Sequence, residues 1–118
     1  MTASAIAAAV ATRKLSAKEA TEAALSRIAA RDGVLNAFTD VTAERARAKA
    51  AEIDAAIAAG KSVGPLAGVP FAVKNLFDVE GLPTRAGSKI NRDRAPAARD
   101  ATLGRMCTVT LINDIEEY

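Results

Sequence analysis

Histidine is absent from the 118 residues, so the side chain that most often acts as a general base near neutral pH is unavailable. Every Ser-His-Asp and Cys-His arrangement goes with it. The single cysteine, Cys107, can form neither an internal disulfide nor a cysteine zinc cluster; together these absences fit a reducing cytoplasm. Ser4, Ser16, Ser26, Ser62 and Ser88 supply hydroxyls, yet none lies in a Gly-x-Ser-x-Gly elbow or a Ser-x-x-Lys pair. Only a lysine or a carboxylate could then activate a serine, which turns attention to Lys74. It ends the apolar run Val69-Pro70-Phe71-Ala72-Val73, where strand alternation puts Phe71 and Val73 on one face and Ala72 and Lys74 on the other. Taken alone, a lysine at a strand end is ordinarily a snorkelling surface residue.

Other motifs carry less. Gly60-Lys61-Ser62 has the ending of a phosphate-binding P-loop, but Ala55 stands where the first glycine belongs, and the triplet closes a helix instead of opening one. Residues 85–99 set Arg85, Lys89, Arg92, Arg94 and Arg99 against Asp93 alone. With no aromatic side chain on which a base could stack, that loop reads as solvated charge. Asp114, Glu116 and Glu117 lack the glycine and the alternating oxygen ligands of a calcium loop. A net charge of +2 gives no large field toward polyanions or anionic lipid, and the longest apolar stretch, residues 5–11, is too short to span a bilayer. A cytoplasmic protein with no metal, no cofactor, no nucleic acid and no membrane partner is the expectation.

The elements that must hold Lys74 divide near Gly60. Of 29 alanines, 22 precede it, whereas all four prolines and five of the seven glycines follow it. Thr2 or Ser4 can cap a first helix through about Arg13. Ser16-Ala17-Lys18-Glu19 has the spacing of a capping box, opening a second helix that Asp32-Gly33 should end. Residues 34–40 alternate as a brief strand would. Asp40 or Thr42 then caps a third helix, with Ala46, Ala50, Ile53 and Ile57 recurring at helical steps and Gly60 as its left-handed exit. The narrow, alanine-rich stripes suit close packing against a larger body, although a small self-contained helical interaction module would show them too. Beyond Gly60, residues 69–73 and 108–112 read as strands, Pro70 having to sit near a strand start or on an edge, and Asp100 can cap a helical turn through Met106.

The segment GPLAGVPFAVKNLFDVEGLPTRAGSKINRDRAP, residues 64–96, resembles the N-terminal part of amidase signature family enzymes, and with the preceding helices the resemblance covers about residues 1–103. Gly68-Val69-Pro70, Val73-Lys74, Gly81 and Thr84 through Gly87-Ser88 fall at the family's spacing. Lys74-Asn75-Leu76-Phe77-Asp78 and the run from Ala86 to Arg92 look most similar to carboxybiuret hydrolase amidase subunits; many relatives carry aspartate where Asn75 stands. The resemblance implies an α/β fold: N-terminal helices plus the first short strands of an amidase signature fold, with the sheet incomplete. It divides the chain into a helical part at 1–60, a strand and catalytic-lysine loop at 61–103, and a divergent tail at 104–118.

It also implies that Lys74 is the base of a Ser/cis-Ser/Lys triad acting on a small-molecule amide. A lysine serving as a base must be neutral, which asks its pKa to fall from about 10.4 to near 7.5, or roughly 4 kcal/mol of differential stabilisation that only a desolvated site imposes. Both triad serines and the Gly/Ser-rich signature lie outside this sequence, and none of its five serines matches them. The chain alone is therefore expected to be inactive and, with an uncovered apolar strand, marginally folded or associating, as a homodimer or with a small accessory subunit. The alternative within the same family is an A-type subunit of an aminoacyl-tRNA amidotransferase.

Overall fold

The structure, a computed structural model, describes residues 1–102 together with the backbone of a strand at Val109–Asn113. Most of the helical turn expected after Asp100, with Cys107, Asp114, Glu116 and Glu117, lies outside the described residues.

Helix α1 (Ala3–Ala11) opens where Thr2 accepts a hydrogen bond from the Ala5 amide at 3.2 Å. It closes two residues before the expected Arg13, which takes a left-handed φ of 57° and donates from Nη2 to the Ile57 carbonyl at 2.6 Å. Helix α2 (Ala17–Leu35) opens on the expected capping box: Ser16 Oγ accepts from the Glu19 amide at 3.0 Å, and Glu19 Oε2 accepts from the Ser16 amide at 2.8 Å. A second carboxylate joins them from the next helix, as Asp54 accepts from the amides of Ala17 at 2.7 Å and Lys18 at 3.1 Å. The first-turn amides of α2, which have no partner inside the helix, are thus held by its own cap and by tertiary packing.

The expected stop at Asp32-Gly33 and the expected strand at 34–40 are both corrected. α2 continues through Val34 and Leu35, which are exposed, and Asn36 turns left-handed at φ 48°. Asp32 Oδ1 then accepts from the amides of Ala37 at 2.7 Å and Phe38 at 3.2 Å. A glycine inside a helix costs only about 1 kcal/mol, and asparagine tolerates the left-handed exit, so the carboxylate one turn back decides where the chain leaves.

Helix α3 (Ala43–Ala58) starts at Thr42, which makes no side-chain cap bond, and leads to Gly60 at φ 70°. Ala46, Ala50 and Ile53 are buried, Ile57 partly so. α3 packs against α2, and Arg47 ties the two with a forked pair to Glu22 at 2.7 and 3.2 Å. Val10, Ala17, Ala50, Ile53 and Ala67 form the main core, which brings α1, α2, α3 and the following loop together.

Strand β1 (Pro70–Lys74) runs parallel to β2 (Val109–Asn113), with Pro70 opposite Val109 and Lys74 opposite Asn113. Pro70 is the first strand residue, as its missing amide requires. β2 falls within the tail at 104–118, and α3 lies against it. The described sheet has these two strands and is open at its edges. Among the described residues no helix is long and apolar enough to cross a membrane.

The α2–α3 seam and the α2 cap have a pH signature. The Arg47 guanidinium holds the Glu22 carboxyl below the usual glutamate value, and the Ser16 amide and hydroxyl do the same for Glu19. Their contribution to folding is complete above the ordinary value of 4.5 and is lost as the pH falls through the lower folded values, because the unfolded chain then binds more protons. The thermal midpoint followed by circular dichroism should therefore be flat toward neutrality and fall below that value. Glu22→Gln should flatten part of the fall; an unchanged acid slope in that variant would remove Glu22 from the explanation.

Candidate active site

Val73 points inward at 3% exposure, packing with Val79 against the partly buried Phe71 and Leu82, while Lys74 is exposed on the opposite face. The alternation read from residues 69–74 is the one observed. Lys74 is the last residue of β1, and its carbonyl accepts from the Phe77 amide at 3.2 Å, so the chain turns immediately after it.

The next inward residue is Asn75, also 3% exposed. Its Oδ1 accepts from the Arg85 amide at 2.6 Å, and its carbonyl accepts from the Ala86 amide at 3.0 Å. One residue thus grips two consecutive amides of a loop ten positions on. That loop is otherwise unfavourable, since Ala86 adopts φ 52° and Gly87 φ 64°, and a left-handed non-glycine residue persists where surrounding bonds over-determine it. Asn91 Nδ2 adds a bond to the Arg85 carbonyl at 3.1 Å.

A second set of bonds closes the excursion between β1 and this loop. Thr84 Oγ1 donates to Asp78 Oδ1 at 2.5 Å, and the Asp78 carbonyl accepts from the Ala101 amide at 2.9 Å. Asp100 accepts from the Glu80 amide at 2.8 Å and pairs with Arg45 of α3. Gly81 donates to the Ala97 carbonyl and Ala97 to the Leu82 carbonyl, each at 3.0 Å.

The candidate serines are placed elsewhere or otherwise engaged. Ser4 bonds to Thr2 at 3.1 Å, Ser16 caps α2, Ser88 accepts from the Ile90 amide at the head of a short 3₁₀ turn (Lys89–Asn91), and Ser26 and Ser62 are exposed. Lys89, Arg92, Arg94 and Arg99 of the basic loop are exposed, with Arg85 half-buried. Among the described residues no three histidine, cysteine, aspartate or glutamate side chains gather where they could hold a metal ion. The site reads as one lysine on a braced support. The clamp at Asn75 escaped the sequence reading, although a polar residue falling two places after inward-facing Val73 was a visible signal for it.

The sequence profile of the amidase family matches residues 19–107, most of the chain. The chain belongs to the amidase signature family. Its N-terminal helices and its two paired strands are the opening α/β portion of that fold: a bacterial aryl acylamidase of the amidase signature family superposes with a TM-score of 0.85 at 30% identity, over 96% of this chain and 25% of that one. The inhibitor-bound form of a vestigial protein complex tied to the evolutionary origins of an s-triazine catabolic enzyme superposes with a TM-score of 0.89 at 46% identity, over 97% and 25%.

Among curated relatives, AtzE of Pseudomonas sp. (strain ADP), a 1-carboxybiuret hydrolase component, is 55% identical over 94 residues, covering 80% of this chain and 21% of that protein. The A-type subunit of glutamyl-tRNA(Gln) amidotransferase from Acidothermus cellulolyticus is 51% identical over 85 residues, covering 72% and 17%. The chain therefore spans about a fifth of the length of the curated relatives it matches.

Proposed function

We propose that the chain is the N-terminal part of a cytoplasmic amide hydrolase that acts on non-peptide C–N bonds of linear, carboxybiuret-like amides through a Ser/cis-Ser/Lys triad. Lys74 is its contribution to that triad. The observation that carries this reading is the pairing of a lysine, held at a strand end with its side chain turned away from the packed core, with a family match that runs straight through it. Neutral Lys74 takes a proton through the bridging serine, which takes one from the attacking serine. The serine oxygen bonds to the amide carbonyl, the C–N bond breaks as the nitrogen is protonated, and water releases the acyl group. No cofactor enters these steps. A carboxybiuret-type substrate is supported by the higher identity, 55%; the amidotransferase A-type subunit is the second reading, supported by 51% identity. Association with a second copy or a small accessory subunit would cover the open sheet edge.

The 118 residues alone are expected to release no ammonia from biuret-type or simple primary amides above a Lys74→Ala control, since the attacking serine and oxyanion donors are not among them; turnover above that control would contradict the assignment. A chimera in which residues 19–107 replace the matching stretch of AtzE should hydrolyse 1-carboxybiuret. A folded but inactive chimera would count against the carboxybiuret reading.

A further inference from the structure

Lys74 has no rigid element of its own beyond β1, because the chain turns directly after it. The first residue of that turn is Asn75. Its side chain faces inward where Lys74 faces outward, it is 3% exposed, and it holds the Arg85 and Ala86 amides through its side-chain and backbone oxygens at 2.6 and 3.0 Å. The Arg85 amide lies in no strand or helix, so loss of the Asn75 side-chain oxygen leaves a part-buried donor unmade beside the left-handed Ala86, whose own amide stays on the Asn75 backbone carbonyl.

We propose that Asn75 is a positioning residue: through its side-chain oxygen it locks the end of β1 to the 84–88 loop, and so fixes the direction from which Lys74 reaches the reacting groups. This inference rests on the reading of Lys74 as the base. It differs from a general packing role in requiring an acceptor atom at one place. A base displaced by about 1 Å can lose on the order of a hundredfold in rate, while substrate contacts made elsewhere are untouched.

The test uses the same chimera, with 1-carboxybiuret as substrate. Asn75→Ala is expected to lower kcat about tenfold or more with KM changed by less than about twofold. Asn75→Gln, which keeps the amide but moves its oxygen out by about 1.5 Å, should fall with it. Asn75→Asp, which keeps an acceptor at the same distance from the backbone, should recover most of the rate. If Asn75→Ala fails to fold, the Gln and Asp variants decide: equal kcat in those two overturns the proposal, and a lower kcat for Gln sustains it. An active chimera that loses its rate with Lys74→Met but keeps it in all three Asn75 variants overturns this inference and leaves the lysine reading standing. A chimera that keeps its rate with Lys74→Met overturns the reading beneath both.

Discussion

Lys74→Met in the chimera is expected to lower kcat by at least about a hundredfold, the usual scale for removing an acid–base group, and to leave the melting midpoint close to that of the parent. Methionine keeps the length and the apolar body of the side chain but cannot accept a proton. A hundredfold loss corresponds to about 2.7 kcal/mol of transition-state stabilisation. Because Lys74 is exposed on the outward face of β1 and takes no place in the Val73–Val79 cluster, the substitution removes nothing from the core of this segment. Lys74→Arg should fail as well: a guanidinium keeps the positive charge, but its pKa cannot be brought near neutrality. Steady-state kcat and KM, with a melting curve for each variant, separate this from unfolding.

Gly68→Ala should destabilise the 118-residue chain by about 2–5 kcal/mol, combining the cost of a left-handed backbone with that of an overpacked core. Gly68 sits at φ 77°, and an added Cβ would stand 2.9 Å from Val10 Cγ1 and 3.0 Å from the Ala17 Cβ. Neither neighbour can give way, since Val10 is 1% exposed and Ala17 is fully buried. The glycine is there so that the chain leaving the helices can cross the α1–α2 contact on its way into β1. Gly60→Ala is the control, because Gly60 has nearly the same φ of 70° but nothing within 4 Å of an added Cβ. It should cost only the backbone part, roughly 1–2 kcal/mol. Urea unfolding of both variants measures the difference; equal losses would show that the close approach at Gly68 carries no energy.

Features that depend on neighbours a few residues away were legible in the sequence. The Ser16–Glu19 box, the Ala46-Ala50-Ile53 stripe, the left-handed Gly60 and the outward register of Lys74 are all local, and all are observed. Features that depend on partners distant along the chain escaped. Asp54 completes the cap of α2 from 37 residues away, and Arg47 reaches Glu22 across the helix seam. The strands at 69–73 and 108–112 were each visible within a residue, but their parallel pairing was not. The alternation at 34–40 misled because Val34 and Leu35 are exposed helix residues, so their hydrophobicity reports no buried face within this chain. At the site, the lysine stood out once histidine was missing, whereas Asn75 acts through the Arg85 amide ten residues on, a contact that no spacing rule announces.

In the proposed mechanism Lys74 moves a proton and is more than a positive charge near the substrate. Lys89 supplies the comparison: it is an exposed lysine at the start of the short 3₁₀ turn, 15 positions along the same segment. The decisive measurement is kcat for Lys74→Met and Lys89→Met side by side in the chimera. The expected result is a loss of at least about a hundredfold for Lys74→Met and, for Lys89→Met, a kcat within about twofold of the parent with any effect confined to KM. Equal reductions in kcat, or full activity in Lys74→Arg beside them, would contradict the assignment of Lys74 as the base.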